Sequence, residues 1–234
     1  MSQAIEPAPD ADWTRRPAVT GTDGSAPDGA TGGPAAPGLR ERKKRKLRIE
    51  LVRVALQLFE AQGYEQTTVE DIAAAADVSP RTFFRYFARK DDVLLIDRDR
   101  KLAVMRAAVE HPLPGESMID AVRRAVTALA RDYASDPDTT TALFRLATTE
   151  PIVAARMLEF QIGWEQAMAA ELAEHLEMSP DDLRPQIIAH TALTTARLGM
   201  AEWLRGGAVG DPGAEVAATF AIAEPALRVL LEQR

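Results

Sequence analysis

Cysteine is absent from the 234-residue chain, which excludes disulfides and thiolate metal sites and agrees with a reducing compartment. Histidine occurs only three times, and none of His111, His175 and His190 has a neighbour at metal-ligand spacing, so no metal or cofactor is expected. No apolar run approaches a bilayer crossing, because Arg, Glu or Asp interrupts every candidate. The N-terminus lacks the charged start and apolar stretch of a signal peptide, so no membrane partner and a cytoplasmic location are expected. Strand-like alternation is missing throughout. So are a Ser/His/Asp set, a paired carboxylate motif and a Gly-rich phosphate loop, and catalysis is therefore not expected.

What is present is unevenly distributed. The net charge is −7, yet residues 39–90 hold twelve basic and seven acidic side chains, a net of +5. Residues 1–38 carry −3 and residues 91–234 carry −9. Such a partition assigns one small segment to a polyanion and withholds the rest from it. Residues 1–38 are rich in Pro, Gly, Ala, Ser and Thr, have no period, and read as a disordered tail.

From Leu39 onward the pattern is helical. Ile49, Val52, Leu56 and Phe59 recur at spacings of three and four, and Gly63 is placed to stop that helix. Thr68 and Asp71 form a candidate capping box for the next. Ser79-Pro80, Asp136-Pro137, Ser179-Pro180 and Asp211-Pro212 share one start signal: a capping oxygen, then proline where no donor is needed. The spacing predicts an all-α chain of nine helices over 41–62, 68–75, 79–87, 91–110, 116–135, 137–148, 151–177, 180–205 and 212–232. Pro185 and Pro225 mark expected kinks or early breaks. Three units follow: the tail at 1–38, a basic helical unit at 39–90, and an acidic helical unit at 91–234.

The second and third predicted helices are short and joined by Ala76-Asp77-Val78, which makes a helix-turn-helix. Phe83 and Phe87 lie on the face that would pack against the first helix. Ser79 caps the reading helix, and Arg81, Thr82, Arg85 and Tyr86 occupy the remaining faces. Arg pairs with guanine edges, Thr touches a thymine methyl, and Tyr donates to phosphate. Phe84 is open between groove wall and packing. Upstream, "RERKKRKLR" contributes Arg42, Lys43, Lys44, Arg45 and Lys46 to an arm suited to phosphates or a minor groove. Thr67, Thr68 and Lys90 sit at helix ends where phosphate can be clamped.

Residues 42–92, above all "LFEAQGYEQTTVEDIAAAADVSPRTFFRYFARKDDVLL", resemble the TetR family of bacterial transcription regulators. The shared blocks are LF-x-x-x-GY, TTV-x-x-IA, VS-x-x-T, YF and the lysine that follows. Asp77 departs from the glycine usual in that turn, and Asp tolerates a left-handed backbone. The resemblance implies operator contacts at Thr68, Arg81, Thr82, Arg85, Tyr86 and Lys90, and a C-terminal domain that binds an effector and dimerises. Residues 143–207 resemble the C-terminal domain of the mycofactocin-system regulator group, through "LFRLATTEP", "WEQAMAAELAEHL", "SPDDLRPQIIA" and "AEWLRGG". That resemblance implies an acyl-CoA-like ligand.

The residues carry an independent signal for a pocket. Met157, Phe160, Trp164 and Met168 form a soft stripe, with Leu158, Gln161 and Ile162 beside it. His190, Thr194 and Arg197 make a polar line on a neighbouring helix, and Met105, Phe144 and Arg145 are candidates from others. A stripe of this kind is usually plain core, and Arg197 has Glu165 as a candidate partner. The last two predicted helices carry broad apolar faces suited to a twofold four-helix dimer interface. The expected protein is a repressor that leaves a near-palindromic duplex operator when a small hydrophobic effector binds. A helical enzyme or carrier of acyl ligands without a role at DNA is the alternative.

Overall fold

The computed structural model describes residues 39–95, 98–179 and 181–232; the expected tail at 1–38 lies outside them. The described residues form nine α-helices and one 3-10 turn, with no strand. They are α1 (Leu39–Gln62), α2 (Val69–Ala75), α3 (Pro80–Phe84), the 3-10 turn (Lys90–Leu94), α4 (Arg98–Glu110) and α5 (Met118–Tyr133). The remainder are α6 (Pro137–Thr149), α7 (Pro151–His175), α8 (Leu183–Arg205) and α9 (Pro212–Glu232). No described helix is long and apolar enough to cross a membrane.

Local chemistry sets most of these boundaries. Gly63 takes a φ of +92°, where a Cβ would sit 2.4 Å from Gln66 Oε1, so α1 stops there. Thr68 and Asp71 close the capping box at α2: Thr68 Oγ1 accepts from Asp71 N at 3.1 Å, and Thr68 N donates to Asp71 Oδ2 at 2.9 Å. Asp77 turns the chain with a φ of +53°, the left-handed conformation expected of it. Ser79 Oγ caps α3 and Asp136 Oδ1 caps α6. Asp211 Oδ1 accepts from Gly213 N at 2.9 Å at the start of α9.

Three expectations need correction. The reading helix stops at Phe84 rather than continuing to residue 87; Arg85 and Tyr86 form the turn beyond it, and Phe87 follows that turn. The expected helix over 91–110 is divided into the 3-10 turn and α4. Finally, α8 starts at Leu183 with Asp182 as its cap; Ser179 is not that cap, and Pro180 lies outside the described residues. Pro185 consequently falls in the first turn of α8, where its missing N–H breaks no helical bond, and α8 is not interrupted there. Pro225 lies within α9, which runs on to Glu232.

Packing yields two apolar cores. One joins α4, α5, α7, α8 and α9 around Met105, Val122, Met168, Ile188 and Phe220. The other joins α1, α2, α3 and the 3-10 turn around Phe59, Ile72, Phe83 and Phe87. The second core does not end at residue 90. Val93, Leu94, Leu143, Leu146 and Val153 complete it, so α6 and the first turn of α7 are built into the N-terminal unit. Arg145 pairs with Glu60 of α1, and Arg156 Nε lies 2.9 Å from Asp91, along the same seam.

The α8–α9 pair is held at close range by Gly199, where a Cβ would stand 2.6 Å from Val216 Cα. A methyl group there forces the two backbones apart. We expect Gly199→Ala to lower stability by about 1–3 kcal/mol in a urea titration; an unchanged midpoint would refute this packing.

Candidate nucleic-acid interface and internal cavity

The reading helix is fixed from below and free above. Phe83 and Phe87 are buried against α1 with ring centroids 5.4 Å apart. Arg81, Phe84 and Arg85 are exposed, with Phe84 at 53%, and Thr82 and Tyr86 are half-buried. Phe84 therefore belongs to the outer surface, although its ring meets Phe83 edge-on at 5.7 Å. Arg85 stacks over the Tyr86 ring at 5.2 Å, which aligns its guanidinium with the phenol. Ser79 Oγ accepts from Thr82 N at 3.1 Å, so its hydroxyl serves the helix first.

Two expected phosphate ligands turn inward. Thr67 is buried and its hydroxyl donates to Gly63 O at 2.8 Å. Lys90 Nζ donates to the carbonyls of Tyr64 at 2.7 Å and Thr67 at 2.9 Å, and stands 4.1 Å from the Tyr64 ring centre. Burial lowers its pKa, against the opposing pull of Asp91 and Glu65. These two side chains tie the α1–α2 loop to the 3-10 turn; Thr68 is engaged with Asp71.

The basic arm is a continuation of α1 rather than an extended strand of chain. Lys43 and Lys44 project on other sides, while Arg42, Arg45 and Lys46 border one shallow groove with Ile49 and Glu50. Arg42 to Lys46 are all exposed. Arg48 places its guanidinium 5.3 Å from the Phe87 ring centre, which fastens the basic extension beside the reading unit.

A cavity of about 760 Å³ lies among α5, α6, α7, α8 and the end of the 3-10 turn. Of the expected ligand-binding residues, Phe144, Met157, Phe160, Trp164, His190, Thr194 and Arg197 line it. Met105, Arg145 and Met168 do not. Met105 and Met168 are fully buried in the core behind the wall, and Arg145 is turned to Glu60. Glu165 pairs with His190, with Oε2 3.1 Å from Nε2, and not with Arg197. Leu94, Leu95, Val126, Leu129, Tyr133 and Leu143 also line the cavity and carried no recognisable signal in sequence. Behind Tyr133, the buried Lys101 of α4 lies 3.5 Å from the ring centre and 3.7 Å from Asp132 Oδ2. Burial, with Asp132 adding to it, raises the Tyr133 phenol far above its ordinary pKa and keeps it protonated.

The comparison with known proteins agrees with this layout. Residues 51–95 match the sequence model of bacterial regulatory proteins of the tetR family, and residues 116–228 match that of the MftR C-terminal domain. The HTH-type transcriptional regulator TcmR of Streptomyces glaucescens is 39% identical over 178 residues, covering 73% of this chain and 78% of that protein. A protein assigned as the mycofactocin biosynthesis transcriptional regulator MftR of Mycobacterium tuberculosis is 30% identical over 65% of this chain and 77% of its own. Among solved structures, a TetR-family regulator from Syntrophomonas wolfei superposes with a TM-score of 0.57 at 18% identity, covering 80% of this chain and 96% of the other. The fatty acid degradation regulator FadR from Bacillus halodurans gives 0.53 at 20%, covering 80% and 98%. At those identities the structures speak for the fold, and the sequence relatives for the family: the chain belongs to the TetR family of bacterial transcriptional regulators.

Proposed function

We propose that the protein is a ligand-gated repressor, released from a near-palindromic operator when an apolar effector occupies the cavity. The observation that carries this reading is a shared wall. Leu94 and Leu143 line the cavity and also belong to the core that holds Phe59, Phe83 and Phe87. A ligand that displaces those leucines acts directly on the platform of the reading helix. To switch the operator, it must bind one arrangement of that platform better than the other by several kcal/mol.

On this reading Arg81, Thr82, Arg85 and Tyr86 enter the major groove, with Phe84 beside them, and Arg42 to Lys46 follow phosphates from the extended α1. Ser79, Thr68 and Lys90 position the unit. Two copies associate through α8 and α9, which leave Ile187, Leu198, Ile222 and Val229 exposed, Ile222 at 84%. The effector has an apolar body; acyl chains of the acyl-CoA-like class are candidates, because Phe144, Met157, Phe160 and Trp164 offer a soft, wide wall.

Operator fragments selected from the source genome, followed by anisotropy titration, test the reading. A selected site should be preferred over random duplex at physiological salt, and a cavity ligand should abolish that preference. Equal binding to both duplexes would end the proposal. Arg85→Ala should weaken the selected site by roughly 1–3 kcal/mol and relax its sequence preference. Replacing Arg42, Lys43, Lys44, Arg45 and Lys46 by Ser should instead flatten the salt dependence, by about 0.9 in slope for each phosphate no longer neutralised, with sequence preference kept. Lys90→Met should leave that slope unchanged and lower stability in urea by about 1.5–3 kcal/mol, because its ammonium serves two carbonyls rather than DNA.

A further inference from the structure

The cavity's charge is unusually simple. Apart from the Tyr133 phenol, which burial keeps protonated, three charged or chargeable side chains line it: Glu165 of α7, and His190 and Arg197 of α8. The Glu165 side chain is 4% exposed; its Oε1 accepts from Gln161 Nε2 at 2.7 Å and its Oε2 lies 3.1 Å from His190 Nε2. His190 Nδ1 is 2.9 Å from the Gln186 carbonyl, which can only accept, so Nδ1 carries a hydrogen. Two lone pairs repel at the separation seen between Nε2 and Oε2, so that contact contains a hydrogen as well. Whichever partner holds it, imidazolium with carboxylate or imidazole with carboxyl, the pair sums to zero charge.

Arg197 is left as the net charge of the site. It lies about two turns beyond His190 along α8, exposed at the cavity wall, and no described carboxylate pairs with it. It is also the one lysine or arginine among the residues lining the cavity. Arg145 and Arg156 on adjoining helices are engaged by Glu60 and Asp91. The rest of the wall is apolar or neutral.

We infer that the effector is an apolar molecule bearing a single anionic oxygen group, held by Arg197, and that a nucleotide carrier is not part of what the site recognises. The inference rests on the reading of the cavity as the effector site and narrows its ligand class. Coenzyme A brings several negative charges, and one arginine beside a neutral pair and an apolar wall matches only one. A single carboxylate, sulfonate or enolate oxygen matches the guanidinium with no charge left over on either side. Glu165, neutralised by His190, does not repel such a group.

A matched pair of dyes separates the head from the body. 1-Anilinonaphthalene-8-sulfonate and N-phenyl-1-naphthylamine share a scaffold and differ by the sulfonate. Emission excited by energy transfer from Trp164 reports a dye in the cavity, and Trp164→Phe identifies that part of the signal. With the full chain, the sulfonate should bind at least about tenfold more tightly than the neutral dye. Arg197→Met should abolish the preference while leaving the neutral dye unchanged. Dodecanoate should displace the dye better than dodecan-1-ol, and dodecanoyl-CoA should do so no better than dodecanoate. Equal affinity for the two dyes, a preference that survives Arg197→Met, or a clear advantage for the CoA thioester overturns the inference and leaves the cavity as effector site intact. Failure of both dyes and both C12 compounds to enter the cavity removes the effector-site reading, and this inference falls with it.

Discussion

The apolar seam between the N-terminal unit and α6–α7 is the constraint on which the architecture depends. Leu143, Leu146 and Val153 sit in one core with Phe59, Phe83 and Phe87. Burying an aliphatic side chain of this size contributes roughly 1.5–3 kcal/mol, so three of them approach the whole net stability of a small domain. Helices α6 and α7, fifty or more residues later in the chain, are thus joined to the N-terminal unit through α1 and the 3-10 turn, while α3 itself packs on α2. Because such cores are close-packed, they do not deform smoothly; elements shift against one another as bodies.

Charges along the seam have a different part. Asp91 receives the Tyr64 hydroxyl and is bracketed by Arg89 at 3.0 Å and Arg156 at 2.9 Å. Arg145 meets Glu60 on the opposite side of α1's end. Arg156 and Asp91 are more enclosed, but Arg89 and Arg145 stand in solvent, and pairs of that kind contribute about 0–1 kcal/mol each, too little to hold the units together. They are directional, however, and fix which turn of α6 and α7 faces α1. Burial first, and then Asp91, push the Tyr64 phenol well above its ordinary pKa, so its hydroxyl remains a donor at any physiological pH. The apolar contact supplies the energy and the polar contacts supply the register.

Much of this was legible in the residues because helix ends carry their own chemistry. Thr68 with Asp71, Ser79, Asp136 and Asp211 each announce a start through a side-chain oxygen, and all four cap as expected. The helix-turn-helix followed from short-range rules, including a left-handed Asp77. What could not be read was rotational register between helices. Met168 and Trp164 share a stripe, yet Met168 is core and Trp164 is wall, because the stripe faces α8 at one height and the cavity at another. Glu165 looked available to Arg197 but lies level with His190, a difference of two helical turns on α8. Lys90 has the sequence position of a phosphate clamp; only the fold of the α1–α2 loop brings two carbonyls to its ammonium. The 3-10 turn was missed because its start looks like a helix start: Arg89 N donates to Asp92 Oδ2 close to the expected beginning at residue 91, but the turn ends at Leu94 and α4 begins only at Arg98.

A magnitude links the seam to the cavity. Moving a two-state equilibrium from 1:99 to 99:1 takes about 5.5 kcal/mol of differential binding, or about 220 Å² of extra apolar contact at about 25 cal/mol per Å². Displacing a few wall side chains would reach that scale, and Leu94 and Leu143, with Ala147, Met157 and Phe160 packed beside them, belong both to the cavity wall and to the other core. A uniformly hydrophobic ligand gains the same contact in either state wherever it can slide within the cavity, and then shifts nothing. A fixed point is needed to convert burial into displacement. On the reading proposed above, Arg197 of α8 is that point, the one lysine or arginine on the wall, while Leu94 of the 3-10 turn and Leu143 of α6 belong to the seam. An anchor and a lever on different elements would make occupancy depend on the position of the reading unit, which is the condition for a ligand to alter what that unit can grip.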